Sequence, residues 1–299
     1  MKTTATAILI ATLGLGGCAS TSSTHNTPNV SSAALGIEVV TSAEAAGAVN
    51  SVLLVGAREL VIVDAQFTKS GANAVVEAAA KTGKRVSRIF ITHAHPDHYL
   101  GSAILARRFP SAKIIASADV VAEMKRSAMA VAASRQKMLG PEFPGMPIIP
   151  EVYARDTLVI DGAEVRLMAG LAGDTHPITA LFVPSSGTLV ASDIGYADVH
   201  LWTATSDDAS RSAWAKQTEA LGKLPGLKRV IPGHQLSGSA QTPALLRYTR
   251  AYLDTFAAAR KQASAPKELV AAMKKAYPGA HVDLFLQLGA KAAFAANKK

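Results

Sequence analysis

Three histidines and an aspartate fall within six residues, His93-Ala94-His95-Pro96-Asp97-His98, directly after the β-rich apolar run Val86–Ile91. The chain has only eight histidines in 299 residues, so this clustering is a constraint in itself. A short apolar run that ends in polar residues reads as a buried strand delivering the chain to a loop. A strand sends alternate side chains to one face. His93 and His95 therefore share a direction, and a tight turn redirects Asp97 and His98. Imidazole nitrogen and carboxylate oxygen are good ligands for zinc and similar divalent ions. The segment can offer His93 and His95 to one centre while Asp97 and His98 face a second. Pro96 stiffens the loop, and Gly101 permits a close backbone approach.

Around this segment the chain alternates between strand-like and helix-like stretches. Ser51–Val55 and Leu60–Val63 are apolar runs divided by Gly56-Ala57-Arg58, the pattern of a hairpin. Asn73–Lys81 is alanine-rich and predicts a helix. Further helices are expected over Tyr99–Arg108 and Ala118–Met138, with a strand at Lys113–Ala116 between them. Residues 139–150 are dense in Pro and Gly and read as a loop. In the second half, Leu158–Ile160, Glu164–Ala169, Ala180–Val183 and Thr188–Ala191 read as strands, with Asp161-Gly162 as a hairpin turn. A helix over Asp208–Leu221 precedes a short strand at Arg229–Ile231, and helices fill most of the remainder. Two β-rich groups, each followed by helices, predict an α/β architecture of two packed sheets covered by helices. Residues 33–299 read as a single domain.

The first 32 residues depart from this pattern. Met1-Lys2, the apolar stretch Ala7–Leu15 and the small residues before Cys18 describe a secretory signal over residues 1–17. The apolar stretch is too short to span a bilayer permanently. Leu15-Gly16-Gly17-Cys18 resembles the lipobox of bacterial lipoproteins, which implies cleavage before Cys18, lipidation of its sulfur and export to the bacterial envelope, in the periplasm at the outer membrane. Cys18 is the only cysteine, so no internal disulfide and no cysteine-rich zinc site is possible. Residues 18–32 are small and polar and read as a flexible tether. A net charge of +9, from 31 basic and 22 acidic residues, is spread along the chain. Without a basic run or an aromatic ladder it does not indicate a nucleic-acid partner.

Thr92-His93-Ala94-His95-Pro96-Asp97-His98 resembles the THxHxDH signature of the metallo-β-lactamase-fold hydrolases. Three further segments resemble that family in the same order along roughly residues 37–240. Val61-Ile62-Val63-Asp64 is similar to its early strand ending in a structural aspartate. Val190-Ala191-Ser192-Asp193 is similar to the strand-end aspartate that bridges two metals, and Ile231-Pro232-Gly233-His234 to its late histidine ligand. The resemblance implies an αββα sandwich and two divalent ions, zinc above all, with manganese or iron as alternatives. The implied ligands are His93, His95, Asp97, His98, Asp193 and His234. One position departs. The family commonly supplies another histidine in GHTxG, whereas this chain reads Gly173-Asp174-Thr175-His176. Ungapped, Asp174 takes the histidine's place and is the favoured ligand; with a two-residue shift His176 is the alternative, or else a donor that supports the ligands. A carboxylate there makes the first centre more oxygen-rich and suits harder metals.

Tyr196, three residues after Asp193, has a spacing that resembles the N-acyl-homoserine lactonases of this fold, which implies a tyrosine beside the substrate carbonyl. His200 is expected to touch substrate or to support a ligand, and His281 to be structural. The implied reaction is hydrolysis by a metal-bound hydroxide, with Asp97 as ligand and proton shuttle and Tyr196 steadying the oxyanion. No GxSxG elbow suggests a serine nucleophile. Asp193 stands where β-lactam hydrolases typically carry Cys or Ser, so a small neutral ester, lactone or amide is the expected substrate, with a β-lactam less favoured. The alternatives are an iron-dependent oxygenase of the same fold and a non-catalytic metal-binding envelope lipoprotein. The pocket is expected between Gly140–Pro150 and the loop around Tyr196–Trp202.

Overall fold

The computed structural model describes residues 1–2 and 34–295. The signal segment, the tether and Cys18 lie outside the described residues. Six strands build the first sheet: β1 (Gly36–Thr41), β2 (Asn50–Val55), β3 (Glu59–Val63), β4 (Arg85–Phe90), β5 (Lys113–Ala116) and β6 (Glu151–Val152), in that spatial order. Its first three strands run antiparallel, with β2 and β3 forming the expected hairpin, and the remainder are parallel. Parallel pairing needs crossovers. These are supplied by α1 (Lys69–Lys81), then the short α2 (Pro96–Tyr99) with α3 (Ser102–Arg108), then α4 (Ala118–Leu139). The second sheet contains β7 (Thr157–Ile160), β8 (Ala163–Leu171), β9 (Ile178–Val183), β10 (Thr188–Ala197) and β11 (Arg229–Gln235), ordered β11-β10-β9-β8-β7. Helix α5 (Asp208–Gly222) crosses over to make β10 and β11 parallel, and α6 (Ala244–Gln262), α7 (Pro266–Ala276) and α8 (Asp283–Ala295) follow.

Strand alternation explains the layering. On one face of the first sheet Val52, Leu54, Val61, Val63 and Phe90 meet Leu158, Val165, Leu181, Val190 and Ile231 of the second, closing the inter-sheet core. The opposite face of the first sheet buries Leu53, Leu60, Ile62 and Ile89 against Val75, Leu105, Val120 and Met124 from its helices. Phe182 and Leu189 turn outward to Trp214, Leu246, Leu253 and Phe256 of the other helical layer. The result is an αββα sandwich, as expected from the sequence. Each such fully buried side chain stabilises the fold by roughly 1.5–3 kcal/mol.

Two expectations need correction. The helix expected over Tyr99–Arg108 is broken into α2 and α3 at Leu100-Gly101. A Cβ at Gly101 would lie 1.8 Å from the Ala65 carbonyl oxygen, so the backbones touch there and the helix is interrupted. The segment Gly140–Pro150 does not face the cavity. Its Phe143 and Ile149 pack into the first helical layer, while Glu142 accepts hydrogen bonds from Ser70 and the Ile148 amide donates to Ser102. Its Pro and Gly content reports a turn, not what the turn covers.

Candidate metal centre

The strand β4 ends at Phe90, and the chain bends at His93-Ala94 before Pro96 opens α2. Proline suits the first helical position because its fixed φ is already helical and no partner is needed there for an N–H. His93 thus leaves from the bend and His95 from extended backbone, while Asp97 and His98 leave from a helical turn. That change of period divides them. His93, His95, Asp174 and Asp193 can direct one donor atom each to a common point, and Asp97, His98 and His234 to a second.

Asp193 stands between the two groups. Its Oδ2 lies 3.4 Å from His93 Nε2 and 3.3 Å from His234 Nε2, and its Oδ1 3.1 Å from His98 Nε2. The pairing of β10 with β11 slips between Val190 and Tyr196, so Asp193 sits in an irregular stretch that re-aims its side chain. Gly233 makes room for it. A Cβ at that glycine would come within 1.8 Å of Asp193 Oδ1, which explains why glycine precedes His234.

The ring orientations are fixed from behind. Asp64, buried at a positive φ of 64°, accepts hydrogen bonds from the Thr92 amide, the Thr92 hydroxyl and His98 Nδ1, all at 2.8 Å. A carboxylate only accepts, so His98 carries its proton on Nδ1 and turns Nε2 inward. The Thr92 hydroxyl, spent on Asp64, accepts in turn from His93 Nδ1 at 3.0 Å, which leaves His93 Nε2 facing the centre. His234 Nδ1 donates to the Gly47 carbonyl at 2.7 Å, with the same effect. His95 presents Nδ1, 3.2 Å from Asp174 Oδ2.

Four of the inward atoms, His93 Nε2, His98 Nε2, Asp174 Oδ1 and Asp193 Oδ1, are buried and have no hydrogen-bond partner among the described residues. Unsatisfied buried polar atoms are rare and need a cause. A divalent cation in each group supplies one, and the set of nitrogen and oxygen donors is the kind that holds zinc, manganese or iron. The residues fit the implied ions.

The electrostatics agree. Burial alone would drive protons from these imidazoles, but the facing carboxylates reverse it. Asp174 pushes His95 up to about 10, and Asp193 holds His98 and His234 above the usual imidazole range. Burial likewise opposes charge on Asp193, yet His98, His234 and His93 hold it well below the ordinary carboxylate value. Asp174 goes the other way, raised by burial and by the charge of Asp193 against the pull of His95. Protons thus neutralise the carboxylates until a cation displaces them. Groups raised above neutrality are protonated before binding, so metal uptake releases protons and apparent affinity rises with pH through the neutral range. Isothermal titration with zinc in two buffers of different ionisation enthalpy measures this. Release of at least about one proton per chain is expected, and a count of zero would contradict the arrangement.

Of the sequence candidates, His93, His95, Asp97, His98, Asp174, Asp193 and His234 are brought together. His176 is exposed and outside both groups, so the two-residue shift is not needed. Tyr196 is fully buried behind the centre, where its hydroxyl donates to Asp174 Oδ2 at 3.0 Å and its ring stacks on His234. Burial and the adjacent carboxylates raise it well above the usual phenol range, so it stays a donor. It does not line the cavity, and the expected contact with a substrate carbonyl is not met. His200 is corrected as well. It is buried in the outer helical layer against the Tyr252 hydroxyl, 2.9 Å from Nδ1, and reaches neither group nor cavity. His281 pairs with Glu44 at 3.2 Å.

The centre forms the floor of a cavity of about 950 Å³. Trp202, at the end of the loop where the sequence places the pocket, is one of its walls; the others come from places the sequence did not mark: Glu44–Gly47, one stripe of α4, and Val282–Leu288.

A family model described as the metallo-beta-lactamase superfamily matches residues 45–234. Among solved structures, a metallo-beta-lactamase family protein from Thermus thermophilus is 20% identical, with TM-score 0.61 over 88% of this chain and 93% of that one. A beta-lactamase domain protein from Burkholderia ambifaria is 17% identical, with TM-score 0.57 over 84% of this chain and 82% of that one. The DIM-1 metallo-beta-lactamase is 17% identical, with TM-score 0.55 over 74% of this chain and 97% of that one. At these identities the likeness is one of fold. No curated protein sequence matches the chain.

Proposed function

The chain belongs to the metallo-beta-lactamase superfamily, a family of hydrolases, and from that premise we propose that it cleaves a small ester, lactone or amide with two divalent ions, zinc foremost. His93, His95, Asp174 and Asp193 would hold one ion and Asp97, His98 and His234 the other, with Asp193 shared. The observation that carries this reading is the set of buried, unpartnered donors converging at the floor of an open cavity. Cations bound there would polarise a scissile carbonyl and make water nucleophilic at neutral pH.

The chain's own residues supply the rest. Asp193 and Asp64 fix where the donors point. Tyr196 orients Asp174 by donating to it, in place of the oxyanion role expected from its spacing. Asp97 is the carboxylate of the second group, with its side chain 19% exposed to the cavity, and is placed to pass a proton to a leaving group. A cavity of this size with apolar walls suits a drug-sized molecule rather than a polymer. A lactone or ester is favoured and a β-lactam is the next candidate.

A panel of lactones, 4-nitrophenyl esters, thioesters and β-lactams tests the reading before and after chelation. Activity on at least one class, lost with the metal and restored by zinc or manganese, is expected. Hydrolysis indifferent to chelation, or none in the metal-replete protein, would overturn it. One observation supports a second reading. His93, His95 and Asp174 are two histidines and one carboxylate, a set suited to a single iron and to oxygen chemistry. A single bound iron would move that reading to the front. The binding-only lipoprotein is the reading left if no metal binds.

We also propose export and a lipid anchor at Cys18. Among the described residues no helix is long and apolar enough to cross a membrane. The full chain should partition into the detergent phase of a Triton X-114 extract and Cys18→Ala into the aqueous phase.

A further inference from the structure

Helix α4 turns two faces to different surroundings. Val120, Val121, Met124, Ala128 and Ala132 are buried in the first helical layer. Glu123, Ser127, Val131, Arg135 and Met138, spaced by four, four, four and three residues, line the cavity along the other stripe. Arg135 is the single lysine or arginine among the described residues that form those walls.

The other charges on the walls are already occupied. Glu44 accepts from the Val282 amide at 3.0 Å and pairs with His281, Asp283 pairs with Lys274, and Glu123 pairs with Arg126 and accepts from Ser127. Asp97, Asp174 and Asp193 belong to the metal centre. The Arg135 side chain alone has neither a hydrogen bond nor an ion pair among the described residues, although the residue is half-buried. A guanidinium keeps its charge at any physiological pH and presents a planar fork suited to a carboxylate. The same cavity is lined by the apolar Val131, Met138, Leu284, Phe285 and Leu288. Of these, Met138, Leu284 and Leu288 remain exposed at 61%, 58% and 37%, apolar surface that the described residues leave uncovered.

We propose that Arg135 anchors an anionic group, a carboxylate, of a substrate whose apolar body lies along Met138, Leu284 and Leu288 while its scissile bond reaches the metal floor. The substrate class is therefore an amphiphilic acid carrying an ester, lactone or amide, not the neutral molecule expected from the sequence. This assignment deepens the hydrolase reading and rests on it for the word substrate, but binding can be read without turnover.

The test compares octanoate with octanamide, equal in length and differing in charge, by isothermal titration into the metal-replete full chain and into Arg135→Met and Arg135→Lys. Arg135→Met keeps the length and the apolar contacts of the stem. The wild type is expected to prefer the acid by about tenfold to a hundredfold, the range of a charge-assisted hydrogen bond. Arg135→Met should close that gap, and Arg135→Lys should keep part of it. Metal content and thermal melts confirm that each variant is folded and loaded. No preference in the wild type, or a preference that survives in Arg135→Met because the ions hold the carboxylate, would overturn the assignment. In parallel, the ratio of kcat/KM for mono-4-nitrophenyl adipate over 4-nitrophenyl hexanoate should collapse in Arg135→Met. If neither ester nor any other carbonyl substrate turns over while the acid preference depends on Arg135, the hydrolase reading fails and the anion site stands.

Discussion

Replacing Asp193 by alanine is expected to empty both halves of the centre, not one. It is the carboxylate whose two oxygens face histidines of both groups, with Oδ2 beside His93 and His234 and Oδ1 beside His98. Its loss leaves imidazoles held by Thr92, Asp64 and Gly47 around a point with no bridging anion. Metal content should fall from near two ions per chain to well below one. Hydrolysis should drop by at least roughly a thousandfold, beyond the 10–100-fold that loss of a ligand's supporting partner costs. Elemental analysis of the purified variant, beside initial rates on the best substrate found, reads both effects. Retention of one full equivalent with activity within tenfold of wild type would show that Asp193 is not shared.

A large effect of another kind is expected for Asp64→Ala. Asp64 touches no proposed ion, yet it accepts three hydrogen bonds in a buried setting. Alanine leaves three buried donors without a partner, each worth on the order of 1–3 kcal/mol. It also occupies a positive φ that aspartate tolerates better. At roughly 2–4 °C per kcal/mol for a domain of this size, the melting temperature should fall by about 10 °C or more. Metal affinity should fall as well, because His98 and, through Thr92, His93 lose the bonds that fix which nitrogen faces inward. Scanning calorimetry on metal-free and metal-loaded protein separates the two losses. A melting temperature within about 2 °C of wild type would remove Asp64 from its supporting role.

The parts of the fold that were legible in the sequence are those set by local chemistry. The hairpin around Gly56–Arg58, the strand feeding His93 and the turn at Asp161-Gly162 each follow from the period of apolar residues and from turn residues. The metal-binding segments are compact for the same reason: a strand end and one helical turn suffice to aim four side chains. Ungapped spacing favours Asp174 over His176 without closing the alternative. Which of them faces inward depends on Asp193, whose carbonyl accepts from the Asp174 amide at 3.3 Å from nineteen residues away in sequence. Most of the cavity walls were illegible for a related reason. The α4 stripe, Glu44–Gly47 and Val282–Leu288 converge only once the sheets have packed, and nothing in an alanine-rich helix announces that Arg135 will face the centre. Tyr196 and His200 show the limit of reading polar aromatics near a strand end. Both are fully buried, one behind the ligands and one in the helical layer, and sequence position does not separate those fates from a place in the pocket.

The most direct measurement of the central claim is the metal content per chain of the purified protein, by inductively coupled plasma mass spectrometry, alongside Asp174→Ala and His176→Ala. A two-ion centre with a carboxylate in its first half predicts near two equivalents of zinc or manganese in the wild type and in His176→Ala, and a marked loss in Asp174→Ala alone. Loss confined to His176→Ala, or no metal bound in the replete wild type, would contradict it.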